Sequence, residues 1–198
     1  IDFIDLLIIS HLDLDHSGEA INILEKKEVG NIIMNTEDVK FDEWAMQLSP
    51  AQQSLIADSS RFSEFSVGDI HFENFLRDGE SLDSNEQSVV LKAHLNHFSI
   101  LFTGDVGLGT EEKLVSLYNL KSDILKVGHH GSDTSSGESF IDKVSPKISL
   151  ISAGVNNRYG HPHDSVMERL EPSRIISTNA KGMVEFKINH DTICIRAK

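Results

Sequence analysis

Four side chains able to ligate a metal stand close together in His11-Leu12-Asp13-Leu14-Asp15-His16. They follow an apolar run, Leu6 to Ser10, and precede a Ser17-Gly18 pair that opens a helical pattern. In extended or tightly turned backbone, residues two apart point the same way. His11 and Asp13 can therefore converge on one cation while Asp15 and His16, at the turn, serve another. Carboxylate oxygens with imidazole nitrogens suit Zn²⁺ or Mn²⁺ and do not suit copper(I) or an iron–sulfur cluster. The competing reading is a solvated acidic loop, which would crowd acids and imidazoles at a strand end with no cation to neutralise them.

Three further constellations accompany this one. Leu101-Phe102-Thr103-Gly104-Asp105 ends an apolar strand on a carboxylate whose two oxygens can bridge two cations, with a plain Gly-Asp turn as the alternative. Lys126-Val127-Gly128-His129-His130-Gly131-Ser132 runs a strand into a turn rich in small residues, where adjacent imidazoles leave room for a metal and a substrate; a structural histidine pair is the alternative. Asn156-Asn157-Arg158-Tyr159-Gly160-His161-Pro162-His163 combines a guanidinium fork suited to phosphate, a phenol, amides and imidazoles, a mixture typical of a ligand-facing loop, with a hydrogen-bonded turn cluster as the alternative. His71, His94, His97 and His190 lie in or beside strand patterns without partner acids at ligand spacing and read as surface or edge residues. Trp44 with Phe41 and Met46 reads as a packing cluster, since one tryptophan and 7% aromatics offer little for base stacking. Gly104, Gly107 and Gly109 lack dinucleotide-fingerprint spacing, and no motif marks a nucleophile elbow or a Ser-His-Asp arrangement.

The elements that must position these residues alternate. Strands are expected at Leu6–Ser10, Asn31–Met34, Ile70–Phe75, Ser88–Ala93, Phe98–Thr103, Ile124–Gly128, Ile148–Ser152 and Ile175–Ser177, with a closing hairpin of Met183–Ile188 and Thr192–Arg196. Helices are expected at Gly18–Lys27 after Ser17, Ala51–Ser60 after Ser49-Pro50, from Thr110 to Tyr118, and Ser165–Leu170 after Asp164. A helix starting at Gly18 would aim free N–H groups at the His/Asp loop and favour an anionic substrate. The acidic stretch Thr36–Asp69 reads as a surface helical insert. This alternation without linker or repeat is the signature of one layered α/β domain over residues 1–198.

Composition agrees. The chain has 198 residues, 39% hydrophobic and 25% charged, which excludes a disordered or collagenous chain. Its formal net charge of −13 repels polyanions at long range, so a nucleic-acid partner would have to be held locally. The Ile4–Ile9 run is broken by Asp5 and is far shorter than the ~20 residues of a membrane span. The single cysteine, Cys194, excludes an intramolecular disulfide and a thiolate cluster. Ile1 opens on a strand-like run, as expected of a piece of a longer polypeptide.

Taken in order, these motifs resemble the metallo-β-lactamase superfamily. His11-x-Asp13-x-Asp15-His16-Ser17-Gly18, Asn85-x-x-Ser88-Val89-Val90-Leu91, the strand ending in Gly104-Asp105, Gly128-His129-His130-Gly131-Ser132, Pro146 and Asn156-Asn157-Arg158-Tyr159-Gly160-His161-Pro162 are more specifically similar to the C-terminal metallo-hydrolase domain of ComEC/Rec2 competence proteins, over about residues 4–185. The resemblance implies a four-layer αββα sandwich, with the strands that usually precede the HxDxDH loop missing from this chain. It implies two divalent ions, Zn²⁺ or Mn²⁺, held by His11, Asp13, Asp15, His16, Asp105 and one or both of His129 and His130, with Asp13 in a place where the wider superfamily usually has histidine. A further metal histidine expected between the HxDxDH and Gly-Asp motifs is replaced here by Asn85 and Ser88.

The implied function is phosphodiester hydrolysis, most specifically a nuclease acting on DNA, single strands included, during uptake. Asp15, Asp105, His130, Arg158 and His161 would carry the chemistry, and Asn85, Ser88, Ser132, Asn157, Arg158 and Tyr159 would contact substrate. In a competence channel the domain would lie at the extracytoplasmic face of the membrane beside the remainder of the channel protein; otherwise it would be cytoplasmic. The alternatives are a free-standing hydrolase of a small phosphodiester, as in phosphorylcholine esterases, and a metal-stabilised docking domain without catalysis.

Overall fold

The computed structural model describes residues 2–75 and 83–197. β1 (Phe3–Ile8), β2 (Glu28–Met34) and β3 (Ile56–Asp58) form a three-stranded parallel sheet in that order. Their crossovers carry α1 (Leu14–Ser17) and α2 (Ala20–Lys26), then α3 (Phe41–Ala45) and α4 (Pro50–Gln53). β4 (Glu64–Val67), β5 (Ile70–Asn74), β6 (Leu91–Leu95), β7 (Phe98–Phe102), β8 (Ile124–Lys126), β9 (Ile148–Ile151) and β10 (Arg174–Ser177) form the second sheet, ordered β10-β9-β8-β7-β6-β5-β4. β4 to β7 are antiparallel and β7 to β10 parallel. The connections explain the switch. Tight turns at Gly68 and Asn96, both left-handed, return the chain antiparallel, whereas α5 (Leu108–Leu117), α6 (Glu138–Val144) and α7 (Asp164–Leu170) are crossovers that restore the direction. After α8 (Thr178–Lys181), β11 (Val184–Ile188) and β12 (Ile193–Ala197) make the expected hairpin.

Each sheet buries one face under its own helices. Ile9, Val29, Ile32 and Met34 pack with Ala20, Leu24, Trp44 and Leu48 on one side of the molecule. Val90, Leu101, Leu125, Val127 and Ile151 pack with Leu114, Phe140, Ile141, Val144, Val166 and Leu170 on the other. The layers are those of an αββα sandwich.

Four local expectations are corrected. The helix expected to start at Gly18 is two pieces, and Gly18 caps the C-terminal end of α1, so its N–H is used within that turn and is not aimed at the site. The helix expected over Ala51–Ser60 stops at Gln53. Ser49 does supply the capping box with Gln52, but Ile56–Asp58 pairs with β2 as a strand too short to show alternation. Thr36–Asp69 is therefore no surface insert, since it contributes an edge strand to each sheet as well as buried Trp44 and Leu48. Trp44 packs as expected, but Met46 is 76% exposed and lies outside the cluster.

Glu111 on α5 is 1% exposed, and its carboxylate accepts the N–H groups of Ser136 (2.7 Å) and Gly137 (2.8 Å), tying α5 to the start of α6. Burial outweighs these bonds and pushes its carboxyl up to about 7. The folded state then holds a proton that the unfolded state has released from about pH 4.5 upward, so this residue's contribution to stability falls as pH rises toward 7 and is gone above it. Glu111→Gln cannot ionise. Between pH 5 and 8 the wild-type protein is expected to lose about 3 kcal/mol relative to this variant in denaturant unfolding. His11, buried neutral, works in the opposite direction in both proteins and cancels in the difference. A constant difference across that range would show that Glu111 is ionised throughout.

Candidate metal centre

The end of β1 is pinned between the sheets: Ile9 N–H donates to Ile33 O at 3.0 Å, and Ser10 O accepts Val89 N–H at 2.7 Å. Beyond it, Leu12 N–H donates to the buried carboxylate of Asp38 at 3.0 Å. The backbone then turns at Asp13 into α1, which places Asp15 and His16 on one short helical turn beside the buried His11. Asp105 follows β7 through Gly104, whose φ of +55° and closeness to Ser88 leave no room for a side chain: an added Cβ would sit 2.4 Å from Ser88 Cβ. The His129-His130 turn follows β8.

Five of the expected ligands converge. His16 Nε2 lies 3.3 Å from Asp105 Oδ2 and 3.2 Å from His130 Nε2. His130 Nε2 in turn lies 3.1 Å from Asp15 Oδ2 and 3.5 Å from Asp105 Oδ2. His11, His16 and Asp105 form one group whose ligand atoms all fall within 4.8 Å of one another, and Asp15, His16 and His130 form a second. The outer nitrogens are occupied: His130 Nδ1 donates to Ser152 O at 2.7 Å, His11 Nδ1 meets Ser10 Oγ (3.2 Å) and Ser88 Oγ (3.1 Å), and His16 Nδ1 meets Ser10 Oγ at 3.3 Å. These bonds turn the Nε2 lone pairs inward.

His11 Nε2 is buried and has no hydrogen-bond partner. An orphaned imidazole nitrogen grouped with the His16 imidazole and the Asp105 carboxylate is costly unless a cation satisfies it, and this nitrogen–oxygen donor set fits a divalent ion. Electrostatics point the same way. Burial opposes charge on Asp105, but the hydrogen bond from His16 and the imidazoles of His16, His130 and His11 hold its carboxyl well below the usual range. Burial and the neighbouring His16 bring the His11 imidazole down to about 4.

The sequence left His129 and His130 equivalent, and the backbone separates them. Both adopt left-handed conformations, at φ 46° and 55°, a local strain of roughly 1 kcal/mol or more each. Asp105 Oδ1 accepts the His129 N–H at 3.2 Å and helps hold the turn. His130 enters the centre, while His129 lies on the cleft wall, 3.3 Å from Thr134 Oγ1 and with its ring 5.9 Å from His161.

The remaining candidates are distributed around a cleft of about 460 Å³. Asp13 lines it but is paired with Lys40. Asn85 lines it with a buried, unpartnered Oδ1. Asn157, Tyr159 and His161 form the far wall. The Asn157 side chain braces that wall through His161 N–H (2.9 Å) and His161 O (2.6 Å). Arg158 does not line the cleft; its guanidinium lies 4.6 Å over the Tyr159 ring. Two expected substrate contacts lie behind the wall. Ser88 is fully buried and holds His11 and the Asp105 N–H, and Ser132 is buried against Thr134.

Sequence reasoning missed Ser10, Asp38, Lys40 and Ser152. Ser10 adjoins His11 and could have been suspected from that, but the others come from distant segments. It also missed the partners of the outlying histidines. His94 meets Glu73 and His71 meets Glu64 across neighbouring strands, and His97 approaches His190 and Asp191, an exposed group whose ligand atoms lie within 4.8 Å of one another.

The family described as the metallo-beta-lactamase superfamily matches residues 2–155. The chain belongs to it. The superfamily member is 33% identical over 190 residues to ComE operon protein 3 of Bacillus subtilis, covering 93% of this chain and 24% of that protein. It is 34% identical over 189 residues to Competence protein ComA of Neisseria gonorrhoeae, covering 92% and 25%. It thus spans about a quarter of the length of these curated relatives. The metallo-beta-lactamase fold protein YhfI of Bacillus subtilis shares the fold, with a TM-score of 0.51 at 12% identity over 87% of this chain and 74% of that one. Among the described residues no helix is long and apolar enough to cross a membrane.

Proposed function

We propose that this metallo-beta-lactamase domain is a divalent-cation-dependent phosphodiesterase that cuts DNA, single strands included, in the context of DNA uptake. The observation that carries the reading is the unpartnered His11 Nε2 grouped with His16 and Asp105, beside the second group of Asp15, His16 and His130. His11 with Asp105 would hold one ion and Asp15 with His130 the other, Asp105 would lie within reach of both, and the single Nε2 lone pair of His16 would serve one of them; Zn²⁺ or Mn²⁺ suits these donors. Bound ions supply Lewis acidity that activates water and neutralises charge on the phosphoryl oxygens.

The chain's own residues do the rest. Ser10, Ser88 and Ser152 orient the three imidazoles. Arg158, released from Tyr159, offers a fork to a phosphate oxygen. Burial first, then His163, His129 and His130, hold His161 below the ordinary histidine range; an incoming phosphate anion raises it again, which lets it deliver a proton to the leaving oxygen.

The likeness to competence proteins favours DNA. The net charge of −13 favours the second reading, a small phosphodiester, because non-specific DNA affinity rests on Lys and Arg contacts to phosphates. Metal-loaded protein is expected to hydrolyse bis(p-nitrophenyl) phosphate and to stop on chelation. Digestion of single-stranded or duplex DNA then selects the first reading, and activity confined to the small ester selects the second. Bound metal with no hydrolysis of either removes both and leaves a docking domain.

Arg158→Ala is expected to retain metal content and melting temperature while losing roughly 10- to 100-fold in kcat/KM, the range of a charge-assisted contact. His161→Ala should hurt unactivated alkyl esters more than p-nitrophenyl esters, because an aryl leaving group has little need of a proton. Metal loss in either variant, measured by elemental analysis, would reassign that residue to the centre.

A further inference from the structure

The two halves of the centre are not built alike. Asp13, counted by position among the ligands, belongs to neither convergent group. Its Oδ1 instead lies 2.5 Å from Lys40 Nζ. This lysine is held in place by its backbone: Lys40 N–H donates to Asp38 Oδ1 at 2.9 Å, while Asp38 Oδ2 accepts Leu12 N–H at 3.0 Å and the Ser84 hydroxyl at 2.7 Å. One residue earlier, Val39 N–H donates to Gln87 Oε1 at 3.0 Å, and Gln87 Nε2 donates to Glu37 O at 2.7 Å. Asp38, Ser84 and Gln87 are all buried. A fixed brace therefore joins the loop bearing Lys40 both to the His11–Asp13 backbone and to the segment of Asn85 and Ser88.

We propose that Lys40 is a resident cation of the centre, which makes the His11–Asp13 half the weaker of two divalent-ion sites. The inference rests on the reading that the centre binds divalent ions, and it adds their ranking. Around His11 an incoming ion finds one free imidazole nitrogen, shares in His16 and Asp105, and a carboxylate already neutralised by an ammonium. It must displace that ammonium or sit beside a like charge. Around His130 the ion finds Asp15, Asp105 and two imidazoles, and among the described residues no lysine or arginine is paired with either carboxylate. The first equivalent therefore goes to Asp15, His16, His130 and Asp105, and the second is bound weakly, subject to Lys40.

The test is a Mn²⁺ titration of chelator-stripped protein, following free Mn²⁺ by electron paramagnetic resonance, for wild type, Lys40→Met and Lys40→Arg. Wild type is expected to show one tight and one weak equivalent. Lys40→Met should tighten the weak one by roughly tenfold and leave the tight one unchanged. Lys40→Arg keeps the charge and should behave as wild type. The tight equivalent reports within the same titration that each variant is folded. Two equally tight equivalents in wild type, or a second equivalent that Lys40→Met leaves unchanged or weakens, overturn the inference. No Mn²⁺ bound at all overturns it together with the proposed function. The expected titration in a protein that hydrolyses no phosphodiester overturns the function alone.

Discussion

Asp105→Asn is expected to lower phosphodiester hydrolysis at least ~10³-fold, about 4 kcal/mol of transition-state stabilisation, with the fold retained. The carboxylate has two separate duties. Its Oδ2 stands 3.3 Å from His16 Nε2 and 3.5 Å from His130 Nε2, where it would face both of the proposed ions, and its Oδ1 accepts the His129 N–H that helps hold the strained turn. An amide keeps the shape, and its Oδ1 can still accept that N–H, but it carries no negative charge to set against the proposed divalent ions, and its –NH₂ would donate to the inward-facing imidazole lone pairs that those ions need. Metal content by elemental analysis should fall together with activity, while circular dichroism should match wild type. A variant that hydrolyses bis(p-nitrophenyl) phosphate within a few-fold of wild type would show that Asp105 does not connect the two halves of the centre.

The second large effect is a contrast between neighbours. His130→Ala removes the nitrogen that meets Asp15, His16 and Asp105 and is expected to lose one bound ion and about two to four orders of magnitude in rate. His129→Ala removes a cleft-wall imidazole bonded to Thr134 and is expected to keep full metal content with a loss of roughly tenfold or less. His129→Gly relieves a left-handed conformation at the same position and should be at least as stable as His129→Ala in thermal unfolding. Equal metal loss in His129→Ala and His130→Ala would mean that the turn reorganises on binding and that both imidazoles serve as ligands.

Much of the candidate centre was legible in the chain because its candidate ligands stand at strand ends. Apolar strands announce themselves by composition, and a polar residue at the point where such a strand stops is conspicuous, which is how His11, Asp15, His16, Asp105 and the His129-His130 pair stood out. The same argument located most of the strands of the larger sheet and the closing hairpin. It failed for β3 and β4, each of four residues or fewer, where pairing with a neighbour and not local pattern decides that the chain is extended. It failed at Gly18 because a glycine after serine reads equally well as the start of a helix or as the end of a single turn.

What the sequence determined by itself is the chemistry available: hard oxygen and imidazole donors, a phosphate-compatible loop, a net charge unfavourable to loose DNA binding, and a layered α/β domain to carry them. Tertiary structure alone decided which donors meet. Two consecutive left-handed residues chose His130 over His129, a backbone property that no spacing rule encodes. Ser88 and Ser132 went behind the wall because Ser88 is buried against His11 and the Asp105 N–H and Ser132 against Thr134, and Asp13 was taken by a lysine 27 residues away, held there by Asp38. Such contacts join segments distant in sequence, and their energies depend on burial and orientation, quantities that exist only once the chain has folded.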